Sequence, residues 1–271
     1  MSKMTILVCL YNKSISTSNT LKSLLKSVDQ IKNQDVFIWD NSVSPLDEND
    51  IDLLKNNFKN FTYKHTPENV VLSKIYNAVI VKQKQVDGYL MLCDDDSEIP
   101  MSFFIKLEEQ INEHSLTNLF LPQIYSNSVL VSPAKDYLIK TSLIKKLKSG
   151  ILKSDNITAI NSGMVISNRV FMDGFRYDER LNFYGTDNYF MHEYAKKNDS
   201  LIVLDIKIHH DLSFNGKDNV SNKTRIFKEI KRANRIIYAD NRFKKTLVVL
   251  NNTIVSVKLC LKFKTLAFLY D

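Results

Sequence analysis

Short apolar runs alternate with stretches of helical spacing along the first half of the chain. Residues 5–10 form an apolar run. Leu21, Leu24, Leu25 and Val28 then recur at i, i+3, i+4 and i+7, the spacing of one helix face. Residues 36–39 repeat the apolar run and stop at Asp40, Asn41 and Ser42, with Pro45 marking a turn. A helix over 51–58 leads to a strand over 61–64, and a helix with Leu72, Ile75 and Val79 on one face leads to a strand over 89–93. Such alternation predicts a parallel sheet with right-handed crossovers, whose ligands bind beyond the carboxyl ends of the strands. Three polar clusters fall at those ends: Tyr11 with Asn12, Asp40 with Asn41 and Ser42, and Asp94 with Asp95 and Asp96.

The second half is less regular. Residues 119–123 and 129–132 predict a strand pair, and the lysine-rich stretch 140–153 predicts a surface helix or loop. A strand over 164–167 follows Asn161, Ser162 and Gly163. A helix starts near Asp187, with Phe190, Met191 and Tyr194 at core spacing, and an alternating strand over 201–208 runs into His209, His210 and Asp211. No repeat, low-complexity tract or Gly/Ser linker divides the first 215 residues.

Composition adds a size and a charge asymmetry. The 271 residues are 44% hydrophobic and 25% charged, which suits a soluble protein with one large α/β core and an appendage. Cys9, Cys93 and Cys260 show no CxxC or CxxH spacing, which argues against a disulfide framework and for a reducing cytoplasm. The apolar stretch at 6–10 is too short for a signal peptide. The net charge of +7 is concentrated at one end, because Lys217 to Asp271 carry 13 Lys and Arg against 4 Asp and Glu. In that tail Leu247, Ile254, Leu259 and Leu261 mix with Lys245, Lys258, Lys262 and Lys264. The mixture predicts either a helix lying on an anionic bilayer surface or a helix packed on the main domain with its lysines in water. Asn251, Asn252 and the lysines interrupt the apolar run and argue against a spanning segment. Basic and aromatic residues do not interleave as a stacking platform requires, so no nucleic-acid partner is expected.

Asp94, Asp95 and Asp96 repel one another, so at the end of a buried strand they are either neutralised by a cation or solvated as an acidic turn. Asp94 and Asp96 supply hard oxygen ligands suited to Mg2+ or Mn2+, ions that accompany diphosphates. Asn12 and Asp40 place hydrogen-bonding groups for a nucleobase and ribose, although Asp40, Asn41 and Ser42 also read as a simple Asx turn. Together the clusters suggest a nucleoside diphosphate linked to a transferable group. A sugar-phosphate nucleotidyltransferase is one alternative, but the chain has 6 Gly and none in the loop after the first strand, where that class carries a Gly-rich phosphate loop. A non-catalytic carbohydrate- or membrane-binding module is the other, and it has no need of both Asp96 and Asp187.

From residue 5 to His210 the chain resembles the inverting family 2 glycosyltransferases of GT-A fold. The likeness rests on five motifs in order: Val8-Cys9-Leu10-Tyr11-Asn12, Ile38-Trp39-Asp40-Asn41-Ser42, Leu92-Cys93-Asp94-Asp95-Asp96, Asn161-Ser162-Gly163-Met164-Val165-Ile166-Ser167 and Phe183-Tyr184-Gly185-Thr186-Asp187. The resemblance implies a GT-A catalytic domain over 1–215, with a mostly parallel central sheet flanked by helices, and a basic amphipathic helical extension over 216–271. It implies a nucleotide-sugar site at Leu10, Tyr11 and Asn12, with Asp40 on the base, Asp94 or Asp95 on the ribose and diphosphate, and Asp96, with Asp94, on Mn2+ or Mg2+. Asp187 is the implied general base, taking the proton from an acceptor hydroxyl that attacks the anomeric carbon opposite the leaving group.

A late metal-binding His is matched by His210, in His210-Asp211-Leu212-Ser213, with His209 as the alternative. Two departures stand out. Thr186 occupies a position that is usually acidic, and Val71 and Tyr76 stand where Gly and Arg are common. Asn77 keeps the pattern there, and Lys74 is expected to supply the missing positive charge to the diphosphate. Some rhamnosyltransferases of the family share the HDLS-like ending, so the implied donor is dTDP-rhamnose or a UDP-hexose. The implied acceptor is a glycan, lipid-linked, in the biosynthesis of a surface polysaccharide such as an O-antigen or capsule. With the basic tail, this predicts a cytoplasmic enzyme, peripheral on the inner face of the cell membrane.

Overall fold

The computed structural model describes residues 2–137, 140–144, 147–210 and 220–269. Its first half follows the predicted alternation: β1 (Met4–Leu10), α1 (Asn19–Lys26), α2 (Val28–Ile31), β2 (Asp35–Asp40), α3 (Glu48–Asn57), β3 (Asn60–His65), α4 (Leu72–Ile80) and β4 (Tyr89–Cys93). A short β5 (Ser97–Glu98) and α5 (Phe103–Glu113) precede β6 (Leu119–Ser126) and β7 (Val129–Ser132), the expected strand pair. Then come β8 (Ala134–Tyr137), β9 (Lys140–Leu143), β10 (Gly150–Lys153), β11 (Ile157–Thr158), β12 (Met164–Ser167), α6 (Asn168–Met172), α7 (Thr186–Ala195) and β13 (Ser200–His210). Two helices follow, α8 (Val220–Ile237) and α9 (Arg242–Phe263).

The main sheet has the order β10-β13-β6-β12-β4-β1-β2-β3, and β8, β9 and β11 form a small second sheet. β3, β2, β1 and β4 are parallel, β12 runs antiparallel to both of its neighbours, and β13 is parallel to β6. Helices cover both faces, so β1, β2 and β4 read as unbroken apolar runs rather than alternating ones. Val8, Leu10 and Met91 pack with Leu21 and Leu24 of α1 in one core, while Leu7, Leu90 and Leu92 pack with Ile75 and Val79 of α4 in the other. Burying each such side chain contributes about 1.5–3 kcal/mol. With both faces closed, the carboxyl ends of the strands are the part of the parallel sheet left open to a ligand.

Within 140–153, where a helix or loop was expected, two segments are strands, Lys140–Leu143 and Gly150–Lys153. β9 pairs with β8, and β10 pairs antiparallel with β13 at the edge of the main sheet. An edge strand bonds through its backbone and keeps charged side chains in water, so a lysine-rich sequence suits it. β10 accordingly alternates half-buried and exposed residues.

The tail is helical, as expected, and its described residues form two helices. α8 packs on both α7 and α9, around a small core of Leu181, Ala233, Ile237, Tyr238 and Val248. α9 buries a narrow stripe at every fourth residue, Val248, Asn252, Ser256 and Cys260, and exposes Phe243, Leu250, Ile254, Val257 and Leu261. By length and composition α9 is apolar enough to cross a membrane, with 22% of its most apolar stretch buried. Asn252, expected to interrupt a span, lies on the buried stripe, and the lysines sit toward the helix ends. Asp211-Leu212-Ser213 and the boundary after residue 215 lie outside the described residues.

Candidate active site

The acidic turn after β4 is gripped by the start of α1. Ser18 Oγ donates to the Asp95 carbonyl (2.7 Å) and Thr20 Oγ1 to the Asp94 carbonyl (2.6 Å), which fixes the backbone of the triplet and leaves its carboxylates to other partners. Ser162 Oγ donates to Asp94 Oδ2, and the Tyr11 N–H donates to Asp95 Oδ2 at 2.9 Å. Asp96 Oδ1 lies 3.0 Å from Nδ1 of His210, at the end of β13. Although buried, that oxygen accepts no hydrogen bond. The strand's alternation decides between the two histidines: His210 joins the cluster, while His209 is exposed beside Tyr125.

Ligand atoms of Asp94, Asp96 and His210 lie within 4.8 Å of one another. Two carboxylates and an imidazole around a buried oxygen without a hydrogen-bond donor fit a divalent cation better than a solvated acidic turn. Burial raises the Asp94 carboxyl, and the Ser162 hydroxyl opposes it. Burial likewise pushes Asp95 up to about 6, against the Tyr11 N–H, with the flanking carboxylates adding to the rise.

Beside the triplet a cleft of about 400 Å3 opens over the ends of β1 and β4, lined in part by Leu10, Tyr11, Asn41, Asn69 and Tyr184. Cys9 also faces it, but burial and the Asp94 carboxylate push its thiol up, so it stays protonated and is no nucleophile. The expected donor residues divide. Leu10, Tyr11, Asp94 and Asp95 line the cleft. Asn12 takes a left-handed backbone (φ 52°) and turns the chain away, its N–H bonded to Ser42 Oγ.

Asp40 is corrected by its surroundings. Its carboxylate is fully buried and accepts from the N–H groups of Ser42 and Leu46 and from the Tyr63 hydroxyl (2.6 Å), so it organises the loop after β2 rather than facing a base. Asn77 is likewise turned inward, exchanging hydrogen bonds with the backbone of Tyr177. Lys74 is exposed and is not among the described residues lining the cleft.

Asp187 stands in the first turn of α7, which begins after Gly185 in a left-handed conformation (φ 84°). Its Oδ1 accepts the Asn188 N–H at 2.8 Å. Burial pushes its carboxyl up to about 6; the Asn188 N–H opposes the rise and the Asp94 charge adds to it. Asp187 lines a second cavity of about 300 Å3 together with Asp136, Asn188, Ile230 and Ile237 of α8, and Tyr238 just after it. Tyr184 borders both cavities, so a reacting pair of ligands would meet there. Asn161 and Ser162 tie the two halves together, since Asn161 Nδ2 donates to Thr186 Oγ1 (3.2 Å) while Ser162 holds Asp94. Thr186 is 2% exposed, and its hydroxyl meets the Asn161 amide in that buried seat without the desolvation an acid would suffer.

Arg225 of α8 also lines the first cleft. No motif in the sequence singles it out, because an Arg with Glu229 four residues later reads as an ordinary solvent ion pair on a helix.

The family model described as Glycosyl transferase family 2 matches residues 5–175, more than half of the chain. No curated protein sequence matches it. Among solved structures, S. aureus TarS 1-349 in complex with UDP has a TM-score of 0.60 at 14% identity, over 99% of this chain and 72% of that one. The same protein in complex with UDP-GlcNAc gives 0.61 at 13% identity, over 96% and 73%. GalNAc-T7 with UDP, GalNAc and Mn2+ gives 0.59 at 13% identity, over 91% and 51%. The chain spans 43% of the longer TarS structure. At these identities the likeness is one of fold.

Proposed function

The chain belongs to glycosyl transferase family 2 and has the GT-A fold, and from that premise we propose that it moves a sugar from a nucleoside-diphosphate donor to a hydroxyl of a glycan acceptor, inverting the anomeric carbon. One arrangement carries the reading: Asp94, Asp96 and His210 cluster beside one cavity, Asp187 stands in the next, and Tyr184 borders both.

The base and ribose of the donor occupy the cleft against Tyr11 and Asn41, with the diphosphate toward Asp94 and Asp95. The ligands named for the neighbours support this: UDP and UDP-GlcNAc in TarS, and UDP with Mn2+ in GalNAc-T7. Asp94, Asp96 and His210 would hold Mn2+ or Mg2+, which when bound offsets the carboxylates and the charge of a departing diphosphate. Asp187 takes the proton of the acceptor hydroxyl as that oxygen bonds to the anomeric carbon. The bond from that carbon to the diphosphate oxygen breaks, and its electron pair leaves with the nucleotide. A carboxylate with a pKa of about 6 is ionised at neutral pH and still basic enough for this task. With one base and a protonated Cys9, a single displacement accounts for inversion.

The donor is a UDP-hexose or dTDP-rhamnose, and the UDP bound by neighbours favours the first. The acceptor is a lipid-linked glycan at the inner face of the cell membrane, in surface-polysaccharide biosynthesis. The exposed apolar stripe of α9, with Lys258, Lys262 and Lys264 alongside, supports this placement. Residues 1–215 form the catalytic domain, and α8 of the extension over 216–271 serves it by walling both cavities. The test is turnover of a panel of UDP- and dTDP-sugars with Mn2+ by the wild type and by Asp187→Asn. Loss of turnover with nucleotide binding retained supports the reading, and equal turnover removes Asp187 from the mechanism.

A further inference from the structure

A diphosphate brings more negative charge into a cleft that already holds Asp94 and Asp95. A divalent ion at Asp94, Asp96 and His210 offsets part of it, and the remainder calls for a cation in the lining of the same cleft. Lys74, the residue expected to supply it, does not line that cleft. Arg225 is the cation among the described lining residues, and it comes from α8, beyond the residues 5–175 that the family model matches.

The guanidinium of Arg225 is braced from its own helix. Nη2 donates to Asn222 Oδ1 (2.9 Å) and Nη1 to Glu229 Oε1 (3.3 Å). Glu229 is itself largely buried, and its Oε2 accepts no hydrogen bond, so its carboxylate is spent on holding the arginine. A guanidinium has five N–H donors in a planar fork, and two bonds, one from each Nη, leave three donors for a ligand. The side chain is half exposed (56%), as a group waiting on a ligand in an open cleft is. The helix that carries it is seated against the start of α7 where Gly185 meets Ala233, so Arg225 and Asp187 belong to one packed unit.

We propose that Arg225 receives the diphosphate of the donor, with Glu229 as the positioning residue that holds its guanidinium, so that the donor site is complete only with α8 in place. The proposal rests on the nucleotide-sugar reading above. In the transfer step Arg225 exchanges no proton. It donates N–H groups to phosphate oxygens that gain charge as the bond to the anomeric carbon breaks.

The experiment is calorimetry with UDP, dTDP and uridine in the presence of Mn2+, on the full chain and on Arg225→Ala, Arg225→Lys and Glu229→Gln, with thermal unfolding recorded for each. Arg225→Ala is expected to bind the better diphosphate about tenfold more weakly while binding uridine as the wild type does, the difference one charged phosphate contact makes. Arg225→Lys recovers part of the loss, since a lysine keeps the charge and loses the fork. Glu229→Gln raises the KM for the donor and leaves the KM for the acceptor unchanged, whereas general loosening of α8 would raise both. Wild-type diphosphate affinity in Arg225→Ala overturns the proposal and leaves the nucleotide-sugar reading intact. Absence of UDP and dTDP binding by the wild type overturns both.

Discussion

Gly185 and Ala233 approach so closely that a Cβ on Gly185 would stand 2.5 Å from the Cβ of Ala233. Gly185 immediately precedes the helix of Asp187, and Ala233 lies in the C-terminal part of α8, between Arg225 and Tyr238. The contact therefore sets the distance between the wall formed by the C-terminal helix and the carboxylate proposed as base. Gly185 also needs its positive φ to start α7, so one position carries a backbone and a packing requirement together.

Gly185→Ala is expected to violate both. The strained φ and the overpacked contact each cost about 1 kcal/mol or more, and α8 relieves the second by moving outward. Thermal unfolding should fall by several degrees, and the KM for donor and acceptor should both rise. Ala233→Gly in the same chain removes the steric part alone, so it should restore substrate affinity further than it restores the melting temperature.

Asp187→Asn is expected to lower kcat by about 10²–10⁴-fold, the usual range for a lost general base. The wild-type kcat should rise with pH through an apparent value of about 6 and level above it, because the base acts only when ionised and its carboxyl is pushed up to about 6. A kcat profile flat between pH 5 and 8 would show that another step or another group governs the rate.

The same carboxyl makes a stability prediction of definite sign. Its pKa is about 6 in the folded chain against an ordinary 3.8, so folding favours the protonated form. Its favourable contribution is complete below about pH 4 and is lost as pH rises through 6. Asp187→Asn stays neutral throughout and keeps an oxygen for the Asn188 N–H. The melting temperature of the variant minus that of the wild type should therefore increase between pH 4 and 7, by a few degrees, and then level. A difference that shrinks over that range contradicts the burial of this charge.

His210→Ala and Asp96→Ala address the cation. Each removes one of three clustered ligands, and each should weaken Mn2+-supported UDP binding at least about tenfold while leaving binding in EDTA unchanged. His209→Ala, which removes the exposed neighbour beside Tyr125, should bind as the wild type does. Equal metal dependence in all three variants would place the ion elsewhere.

These contrasts also mark what the sequence discloses. β1, β2 and β4 were legible because strands buried on both faces must be apolar throughout, and the polar residues that end β1 and β4 fall where a parallel sheet opens. Asp94 and Asp96 follow from that, whereas Asp187, in the first turn of a helix, was reached through the resemblance to the family. Asp40 occupies the same kind of strand end, yet Ser42, Leu46 and Tyr63 draw its carboxylate inward, which depends on the path of the loop and not on the spacing of residues. Lys74 was expected to be the diphosphate cation because Tyr76 stands in α4 where the family commonly has an Arg. Arg225 reaches it through the docking of α8 on α7, and that contact is written in a Gly and an Ala that carry no chemical signature. The strands at 140–153 were hidden for a related reason, since edge pairing uses the backbone and tolerates lysines.

The exposed face of α9 yields the remaining prediction. Phe243, Leu250, Ile254, Val257 and Leu261 recur at i, i+7, i+11, i+14 and i+18, which places all five on one side of the helix, and each is 45% exposed or more. The opposite stripe, with Asn252 and Ser256, is taken up by packing, so a helix lying in the interface plane uses both faces where a span would have to strip α8 away. The full chain should sediment with vesicles containing anionic lipid, and Leu250→Ser with Ile254→Ser and Leu261→Ser should abolish sedimentation while sparing turnover of a soluble acceptor. Neutralising Lys258, Lys262 and Lys264 should weaken binding in low salt and matter little in high salt, because exposed charges are screened beyond about 8 Å at physiological ionic strength. If the triple serine variant still sediments, the stripe meets something other than lipid, and a change in oligomeric state between the two proteins would identify a second copy of the chain as its partner.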